Sequence, residues 1–193
     1  MFMSISWQKP LLFILLLAPF LQLLFDIFAG NLIDPIEEIT NPTGQWAFRF
    51  LLLSLLITPL NKITPFSIIK YRRMIGVFCF FYASLHLSIF LIDQQFSLEY
   101  ILEDVVKRPY ITIGFSGFIL LFLLAATSTN KMVKRLGKRW KKLHKMIYLI
   151  AILATVHFYW QAKSATDIEP LIYAIITLLL LGFRVNWKKW LKH

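Results

Sequence analysis

The stretch YRRMIGVFCFFYASLHLSIFLI, residues 71–92, opens on a tyrosine and two arginines and then contains no Asp, Glu, Lys or Arg. Its apolar part, Met74–Ile92, would span about 29 Å as an α-helix, close to the ~30 Å hydrocarbon core of a bilayer. One imidazole, that of His86, lies inside it. Ionisable side chains within a membrane span are costly and usually functional. The stretch therefore predicts a transmembrane helix that carries a functional histidine.

The composition of the whole chain also indicates a membrane protein. Of its 193 residues, 58% are hydrophobic and 16% are charged, whereas a soluble domain has roughly 45–50% apolar and about 25% charged residues. The formal net charge of +11 would also suit a nucleic-acid-binding protein. Here, however, the basic residues stand in short segments between apolar blocks, where they face anionic lipid. We therefore expect membrane lipid, and no nucleic acid, as a partner.

Six apolar blocks are predicted to cross the membrane, and residues 1–193 are predicted to form a single domain. The predicted fold class is all-α, a six-helix transmembrane bundle. Pro109 and Pro170 stand near the starts of two blocks, where the missing N–H of proline costs little. The predicted spans are Pro10–Gly30, Gln45–Leu60, Met74–Ile92, Tyr110–Ser128, Met146–Trp160 and Pro170–Val185.

The distribution of charge predicts the orientation of the bundle. If the N-terminus is cytoplasmic, most of the 21 basic residues fall on the cytoplasmic side and the acidic residues of the loops fall on the opposite side. Because basic residues are retained in the cytoplasm, both termini are predicted to be cytoplasmic. The first block is longer than the apolar core of a signal peptide and is followed by no clear cleavage site, so we interpret it as an uncleaved span.

Two histidines, His86 and His157, occupy matching positions in the third and fifth predicted spans. Each follows a polar residue at the cytoplasmic edge, Arg73 or His144, by thirteen residues. At 1.5 Å per residue, both imidazoles lie about 20 Å from that edge. Two imidazoles at one depth on parallel helices suit a haem held edge-on, with one axial histidine on each side of its iron. We therefore predict that His86 and His157 are the axial ligands of an electron-transferring haem.

A structural role is the alternative for each histidine taken alone. A buried imidazole can be satisfied by a backbone carbonyl or by a neighbour such as Ser88 or Tyr159, but the matching depth on two helices favours haem. A zinc site would lack third and fourth ligands at that level. The single cysteine, Cys79, excludes an iron–sulfur cluster held within one chain.

His144 lies at the predicted cytoplasmic interface, at the end of a basic segment. Thirteen residues correspond to ~1300° of rotation in an ideal helix, so His144 and His157 would not share a face. His144 is therefore either a solvated interfacial residue or a ligand of a second haem. At its depth the third span presents Arg72 and Arg73 instead of a histidine. A second haem would need an unusual ligand there; otherwise this inner site would receive electrons from a quinone or a flavin.

Arg49 is a further charged residue within the predicted spans. It lies near the outer end of the second span, as Asp26 does in the first. Either the two residues pair with each other, or Arg49 holds a haem propionate.

Several stretches, taken in their order along the chain, resemble a known family. They are FLLLSLLITPL from Phe50, YRRMIGVFCFFYASLHL from Tyr71, KRPYITIGFSGFILLFLLAATST from Lys107, LGKRWKKLHKMIYLIAILATVHFYW from Leu136 and PLIYAIITLLLLGFR from Pro170. The most specific features are R-R-x-x-G before the first histidine and L-H followed thirteen residues later by a second histidine. Together they resemble the MsrQ family (formerly YedZ) of the ferric-reductase-like transmembrane superfamily, over nearly the whole chain.

This resemblance implies a function. Members of the family pass electrons from the respiratory quinone pool across the bacterial inner membrane to MsrP, a periplasmic molybdenum reductase that repairs methionine sulfoxide. The resemblance implies haem b as cofactor, with FMN in addition, and His86, His144 and His157 match the family's haem-associated histidines. Relatives with two haems carry a second histidine where this chain has Arg72 and Arg73. The chain is thus expected to be an electron-transfer subunit rather than the catalytic subunit.

Two other functions fit the same residues. One is a stand-alone ferric or cupric reductase, or transmembrane cytochrome b, fed by a cytoplasmic flavin reductase, since no flavin or nicotinamide domain is evident in the sequence. The other is a haem-free transporter or scaffold, which a pair of broken spans would favour. For a periplasmic partner, we expect the acidic outer segments Ile33–Thr40 and Glu99–Asp104 to form the docking surface.

Overall fold

The computed structural model describes residues 7–65, 67–161 and 167–184, and within these ranges the chain forms helices and short connections without a β-strand. Five segments are long and apolar enough to cross a membrane, one of them made of α7, a 3₁₀ turn and α8 together. The helices are α1 (Gln8–Ala29), α2 (Pro35–Ile63), α3 (Arg72–Asp93), α4 (Leu98–Lys107), α5 (Pro109–Ala126), α6 (Asn130–Leu136), α7 (Lys138–Leu143), α8 (Ile147–Gln161) and α9 (Ile168–Gly182), with 3₁₀ turns at Ile69–Tyr71 and His144–Met146.

Helix α2 begins at Pro35, well before the predicted span start at Gln45. Its first turn is closed by side chains: the carboxylate of Asp34 accepts the N–H of Glu37 at 3.2 Å, and the carboxylate of Glu38 accepts the N–H of Asp34 at 2.9 Å. Such reciprocal caps satisfy backbone donors that a helix start leaves unpaired. The polar segment that precedes the predicted second span therefore forms the first turns of a long helix.

The two longest segments between consecutive predicted spans also contain helices. Residues 93–109 contain α4, which the side chain of Ser97 caps. Residues 130–145 contain α6 and α7, of which α6 is capped by Thr129, and Gly137 separates the two with a positive φ of 51°. Both caps are Ser or Thr in extended conformation, the usual start signal for a helix.

The six-span count stays a prediction. Helix α9 contains 15 residues, which corresponds to about 22 Å and is shorter than the ~30 Å hydrocarbon core. The predicted last span continues to Val185, and this residue lies outside the described part of the chain, as does His193. The cytoplasmic placement of both termini likewise stays a prediction.

Two helix pairs form the centre of the bundle: α2 packs along α3, and α5 packs along α8, with α9 beside α8. A tyrosine connects α1 to this centre. The buried hydroxyl of Tyr82 accepts the N–H of Phe20 at 2.9 Å and donates to the carbonyl of Leu16 at 3.0 Å. It thereby enters the hydrogen-bond ladder of α1 next to Pro19, a common way to bend a helix and dock it.

Charged residues divide between the two ends of the bundle. We call one end the acidic end: it contains the last turn of α1, the start of α2, the end of α3, α4 and the start of α9. All 10 Asp and Glu residues of the chain lie there. The opposite end, which contains the start of α3, α6, α7 and the last turn of α9, is called the basic end.

Candidate functional site

The imidazoles of His86 on α3 and His157 on α8 meet inside the bundle. Their ring centroids are 6.1 Å apart and their planes are nearly perpendicular, at 85°. The two rings that the sequence predicts at equal depth on separate helices are therefore neighbours inside the bundle. Both rings are only partly exposed.

Each ring is held through Nδ1 by a backbone carbonyl of the partner helix in its pair. His86 Nδ1 lies 2.9 Å from the carbonyl oxygen of Thr40 on α2, and His157 Nδ1 lies 2.7 Å from that of Tyr110 on α5. A carbonyl oxygen can only accept, so Nδ1 of each neutral ring carries the proton and donates it. The Nε2 atoms therefore keep their lone pairs, the form in which imidazole binds a metal.

A glycine lies against each imidazole. A Cβ atom added at Gly44 would lie 2.9 Å from Nδ1 of His86, and one added at Gly114 would lie 2.8 Å from Nδ1 of His157. Real Cβ atoms essentially never approach a nitrogen so closely, so only glycine leaves these rings where they are. Each glycine stands four residues after the carbonyl that accepts the hydrogen bond, one helical turn along the same face.

The two halves of the site are therefore built alike. In α2 and in α5, a carbonyl and a glycine one turn later form a cradle for the imidazole of the neighbouring helix. Each cradle fixes its ring through Nδ1, so neither carbonyl occupies Nε2. The structure thus holds two neighbouring imidazoles that are each oriented by a hydrogen bond.

The spacing of the rings fits one metal ion between them. With a metal–imidazole nitrogen distance of about 2.0 Å on each side, two axial rings have centroids about 6.3 Å apart, close to the observed 6.1 Å. Among the described residues, no His, Cys, Asp or Glu completes a group of three with this pair. Two ligands suit a metal that arrives with its other ligands, as iron does in a porphyrin.

His144 belongs to a different place in the fold, the 3₁₀ turn ahead of α8 at the basic end. Its ring stacks on Trp140, with centroids 3.9 Å apart. Its Nδ1 lies 3.2 Å from the carbonyl of Trp140, and its Nε2 lies 3.5 Å from the hydroxyl of Ser128. It does not join the His86–His157 pair, as the rotation along an ideal helix predicted.

The two arginines of the predicted inner site point in different directions. Arg72 is half-buried and lies within electrostatic range of His144. Arg73 is exposed and donates to the side chain of Asn130 at 2.5 Å. Of the two candidates, Arg72 is therefore the one that faces the interior near His144.

Arg49 pairs with α9 and not with Asp26. Its Nε donates to the hydroxyl of Tyr173 at 2.7 Å, and its Nη2 lies 3.7 Å from the carboxylate of Glu169. Asp26 instead accepts from Asn31 at 3.4 Å. Of the two alternatives for Arg49, the pair with Asp26 is therefore not formed, because α9 brings a carboxylate and a phenol to this side of α2.

The carbonyls and glycines of the two cradles were missed in the sequence analysis. A carbonyl carries no residue signature, and Gly44 lay outside the predicted second span, which began at Gln45. One signal was present: T-x-x-x-G at Thr40 and Y-x-x-x-G at Tyr110 place a glycine at similar depth in two helices that could neighbour the histidines. The signal can be interpreted only once α2 is known to pair with α3 and α5 with α8, because the pairing shows which histidine each glycine contacts.

The chain is similar to known proteins over most of its length. Residues 43–155 match the family described as ferric reductase like transmembrane component. The haem-binding subunit MsrQ of protein-methionine-sulfoxide reductase from Herminiimonas arsenicoxydans is 48% identical over 184 residues, covering 93% of this chain and 84% of that protein. The subunit of the same name from Xanthomonas euvesicatoria pv. vesicatoria (strain 85-10) is 50% identical over 159 residues, covering 81% and 72%.

A third relative of the same name, from Polaromonas naphthalenivorans (strain CJ2), is 43% identical over 189 residues, covering 95% of this chain and 86% of that protein. No solved structure matches the chain. The transmembrane family and the five long apolar helices together establish a multi-pass membrane protein with bacterial relatives.

Proposed function

Because this chain belongs to the ferric-reductase-like transmembrane family and, within it, to the haem-binding MsrQ subunits of protein-methionine-sulfoxide reductases, we propose that it binds haem b between α3 and α8 and carries electrons through it. The observation that supports this most directly is the pair of neighbouring imidazoles, whose centroids are 6.1 Å apart, with each Nδ1 bonded to a backbone carbonyl. His86 and His157 are the residues that would hold the haem iron.

The chain's own residues position the cofactor, and haem, when bound, supplies the one-electron chemistry. The Thr40 and Tyr110 carbonyls accept from Nδ1, which fixes each ring and raises the basicity of its Nε2. Gly44 and Gly114 allow the rings to lie against their helices. Arg49 on the acidic side is the proposed partner of a haem propionate, since its guanidinium retains donors beyond those used by Tyr173 and Glu169.

The proposed route of electrons runs from the basic end to the acidic end. The quinone pool, or a flavin reductase, supplies electrons at the basic end, with FMN as a further cofactor there, and a periplasmic MsrP-like molybdenum reductase receives them at the acidic end for repair of oxidised proteins. His86 lies seven residues before the end of α3, about 10 Å from the acidic surface. Residues 33–40 and 99–104, which supply six of the acidic side chains, are the proposed docking surface of that partner. The membrane in question is the bacterial inner membrane.

Haem content tests the proposal. The purified chain is expected to show a b-type absorption spectrum that changes on reduction, and His86→Ala and His157→Ala are each expected to abolish it. His144→Ala, whose ring stacks on Trp140 away from the pair, is expected to keep the haem between His86 and His157, and a partial loss of haem in this variant would indicate a second haem. Added imidazole should restore part of the spectrum in His86→Gly and His157→Gly. Full haem content in both alanine variants would rule the proposal out.

A ferric reductase is the second candidate, favoured by the family description itself. In that case the chain would reduce ferric or cupric ions at the acidic end, with haem, when bound, supplying the one-electron chemistry. The two functions separate when the chemically reduced protein is mixed with either ferric citrate or an oxidised MsrP-like reductase. Rapid reoxidation by the reductase alone supports the subunit function, and rapid reoxidation by ferric ion alone supports the alternative. Reduction by quinol or by a flavin reductase identifies the donor.

A further inference from the structure

At the basic end, Arg184 is held in a fixed position between three helices. It follows α9, its Nη1 donates to the hydroxyl of Tyr148 on α8 at 2.8 Å, and its Nη2 donates to the carbonyl of Leu55 on α2. The carbonyl of Leu55 is available because Pro59, four residues later, has no N–H to donate to it. The guanidinium also lies over the Tyr148 ring, 5.0 Å from its centroid.

A second guanidinium, that of Arg72, lies within electrostatic range of this group. Arg72 begins α3, is half-buried, and interacts electrostatically with both Arg184 and Tyr148. Two positive charges thus lie within electrostatic range of each other at the basic end of the bundle. They repel each other more strongly there than in water, because a partly buried site screens charge poorly.

The chain offers these two arginines no carboxylate side chain. Every Asp and Glu lies at the acidic end, at the other side of the bundle. In addition, Nε of Arg184 is buried and has no hydrogen-bond partner among the described residues. A buried charged donor without an acceptor is costly, so the arrangement fits a group from outside the chain that brings both negative charge and acceptor oxygens.

We propose that Arg72 and Arg184 form a binding site for the phosphate group of an amphiphilic small molecule. Guanidinium groups bind phosphate oxygens through paired N–H donors. Tyr148 adds a third donor, because its hydroxyl oxygen accepts from Arg184 while its own proton is free to point toward an anion. The phosphate can come from an anionic phospholipid of the adjacent leaflet or from FMN, and both place an apolar or aromatic body against the helices.

The exposed lysines of α6 and α7 provide the contrast. They are solvated, and they attract anionic lipid only as a diffuse positive surface. Arg73 is the matched control within the site's own sequence: it is adjacent to Arg72, carries the same charge, and is exposed. If the site is formed by specific side chains, Arg72→Gln should weaken phosphate binding and Arg73→Gln should not.

Two binding measurements on the full-length, detergent-purified protein test the site and distinguish the sources. In the first, FMN and riboflavin are titrated by flavin fluorescence. In the second, retained lipid is counted by native mass spectrometry after exchange with phosphatidylglycerol, cardiolipin or phosphatidylcholine. The proteins compared are the wild type, Arg72→Gln, Arg184→Gln and Arg73→Gln, with Arg184→Lys to keep the charge if Arg184→Gln fails to fold.

A flavin phosphate is identified if the wild type binds FMN at least about tenfold more tightly than riboflavin. This preference should be lost in Arg72→Gln and Arg184→Gln and kept in Arg73→Gln. Selective retention of the anionic lipids with the same dependence identifies a lipid phosphate. An equal effect of Arg73→Gln, or no preference for phosphate in either measurement, overturns the proposal. The flavin source rests on the proposed electron-transfer function and the lipid source does not. The haem spectrum, which depends on His86 and His157, is recorded in every variant so that failure of the two proposals can be told apart.

Discussion

The imidazole of His157 fills the space that a side chain at Gly114 would need: a Cβ there would lie 2.8 Å from both Nδ1 and Cε1 of the ring. The same relation holds between His86 and Gly44, at 2.9 and 3.0 Å. Each glycine therefore influences the position of an imidazole without lying between the two rings. It does so by letting the imidazole reach a carbonyl of the neighbouring helix.

Gly114→Ala is expected to weaken haem binding with little effect on the fold. The His157 ring is the end of a movable side chain, so it can retreat from the new methyl group, but it then loses the Tyr110 carbonyl and its alignment with His86. Overpacking of this kind costs about 1–3 kcal/mol, which corresponds to roughly a five- to 150-fold loss of haem affinity. The measurement is a haem titration of the apoprotein, monitored by absorbance.

Gly117→Ala is the matched control for this prediction. Gly117 lies on the same helix, and a Cβ there would meet only the Cβ of Leu153, at an ordinary contact distance of 3.7 Å. Its haem affinity should stay within about twofold of the wild type. Equal losses in both variants would show that α5 responds to any added methyl group and that the cradle has no special role.

The depth of the two histidines could be predicted from the sequence because helical rise is nearly constant. Counting from Arg73 and from His144 therefore placed His86 and His157 at one level. The direction of the side chains and the identity of their carbonyl partners depend on which helices pair, and an amphipathic pattern is absent from helices that are apolar on all sides. The cradles consequently became visible only with the pairing of α2 with α3 and α5 with α8.

The helix boundaries also could be predicted only in part from the sequence. Hydropathy places the end of a helix where polar residues begin, but α2 continues through the polar residues 35–44 because Asp34 and Glu38 cap its first turn. The segment D-P-I-E-E carries that cap signal in the sequence. The carboxylate partner of Arg49, Glu169, is in contrast contributed by α9, more than a hundred residues away, and no local pattern could indicate it.

Arg49→Gln is expected to lower the midpoint potential of the haem. A positive charge near a haem propionate favours the reduced state, which carries one more electron, so its removal favours the oxidised state. At the effective dielectric of a partly buried site, the shift should be on the order of tens of millivolts. Potentiometric titration of the b-type spectrum measures it. Glu169→Gln, which removes the carboxylate 3.7 Å from Arg49, should shift the potential in the opposite direction; an unchanged potential in both variants would exclude Arg49 as a propionate partner.

Tyr82→Phe is expected to cost little stability despite the complete burial of the hydroxyl. The two groups that it bridges, the N–H of Phe20 and the carbonyl of Leu16, are four residues apart and can close their own helical hydrogen bond once the hydroxyl is absent. Interhelical hydrogen bonds in membranes are worth about 0.6 kcal/mol on average, so the free energy of unfolding should fall by about 1 kcal/mol or less. Unfolding in mixed detergent micelles measures this change.

Tyr82→Leu provides the comparison, because it also removes the ring that packs on Phe50 and Phe81 with centroids 5.2 and 5.3 Å away. The loss should then be several times larger, about 2–4 kcal/mol. If Tyr82→Phe costs as much as Tyr82→Leu, the hydroxyl rather than the ring docks α1, and the helix does not close its own bond.

Pro59→Ala is expected to leave stability nearly unchanged and to weaken phosphate binding. Alanine supplies the missing N–H, so the carbonyl of Leu55 is satisfied within α2 and no longer needs Arg184. Removal of a proline from a helix interior stabilises it by up to ~3 kcal/mol, while loss of a hydrogen bond from a charged group costs about 1.5–3 kcal/mol, and the two effects largely cancel. Arg184 then loses one of its two anchors, so the phosphate affinity should fall several-fold.

Pro42→Ala, on the same helix but at the acidic end, is the control and should change stability without changing that affinity. Equal phosphate affinity in the wild type and in Pro59→Ala would show that Tyr148 alone positions Arg184.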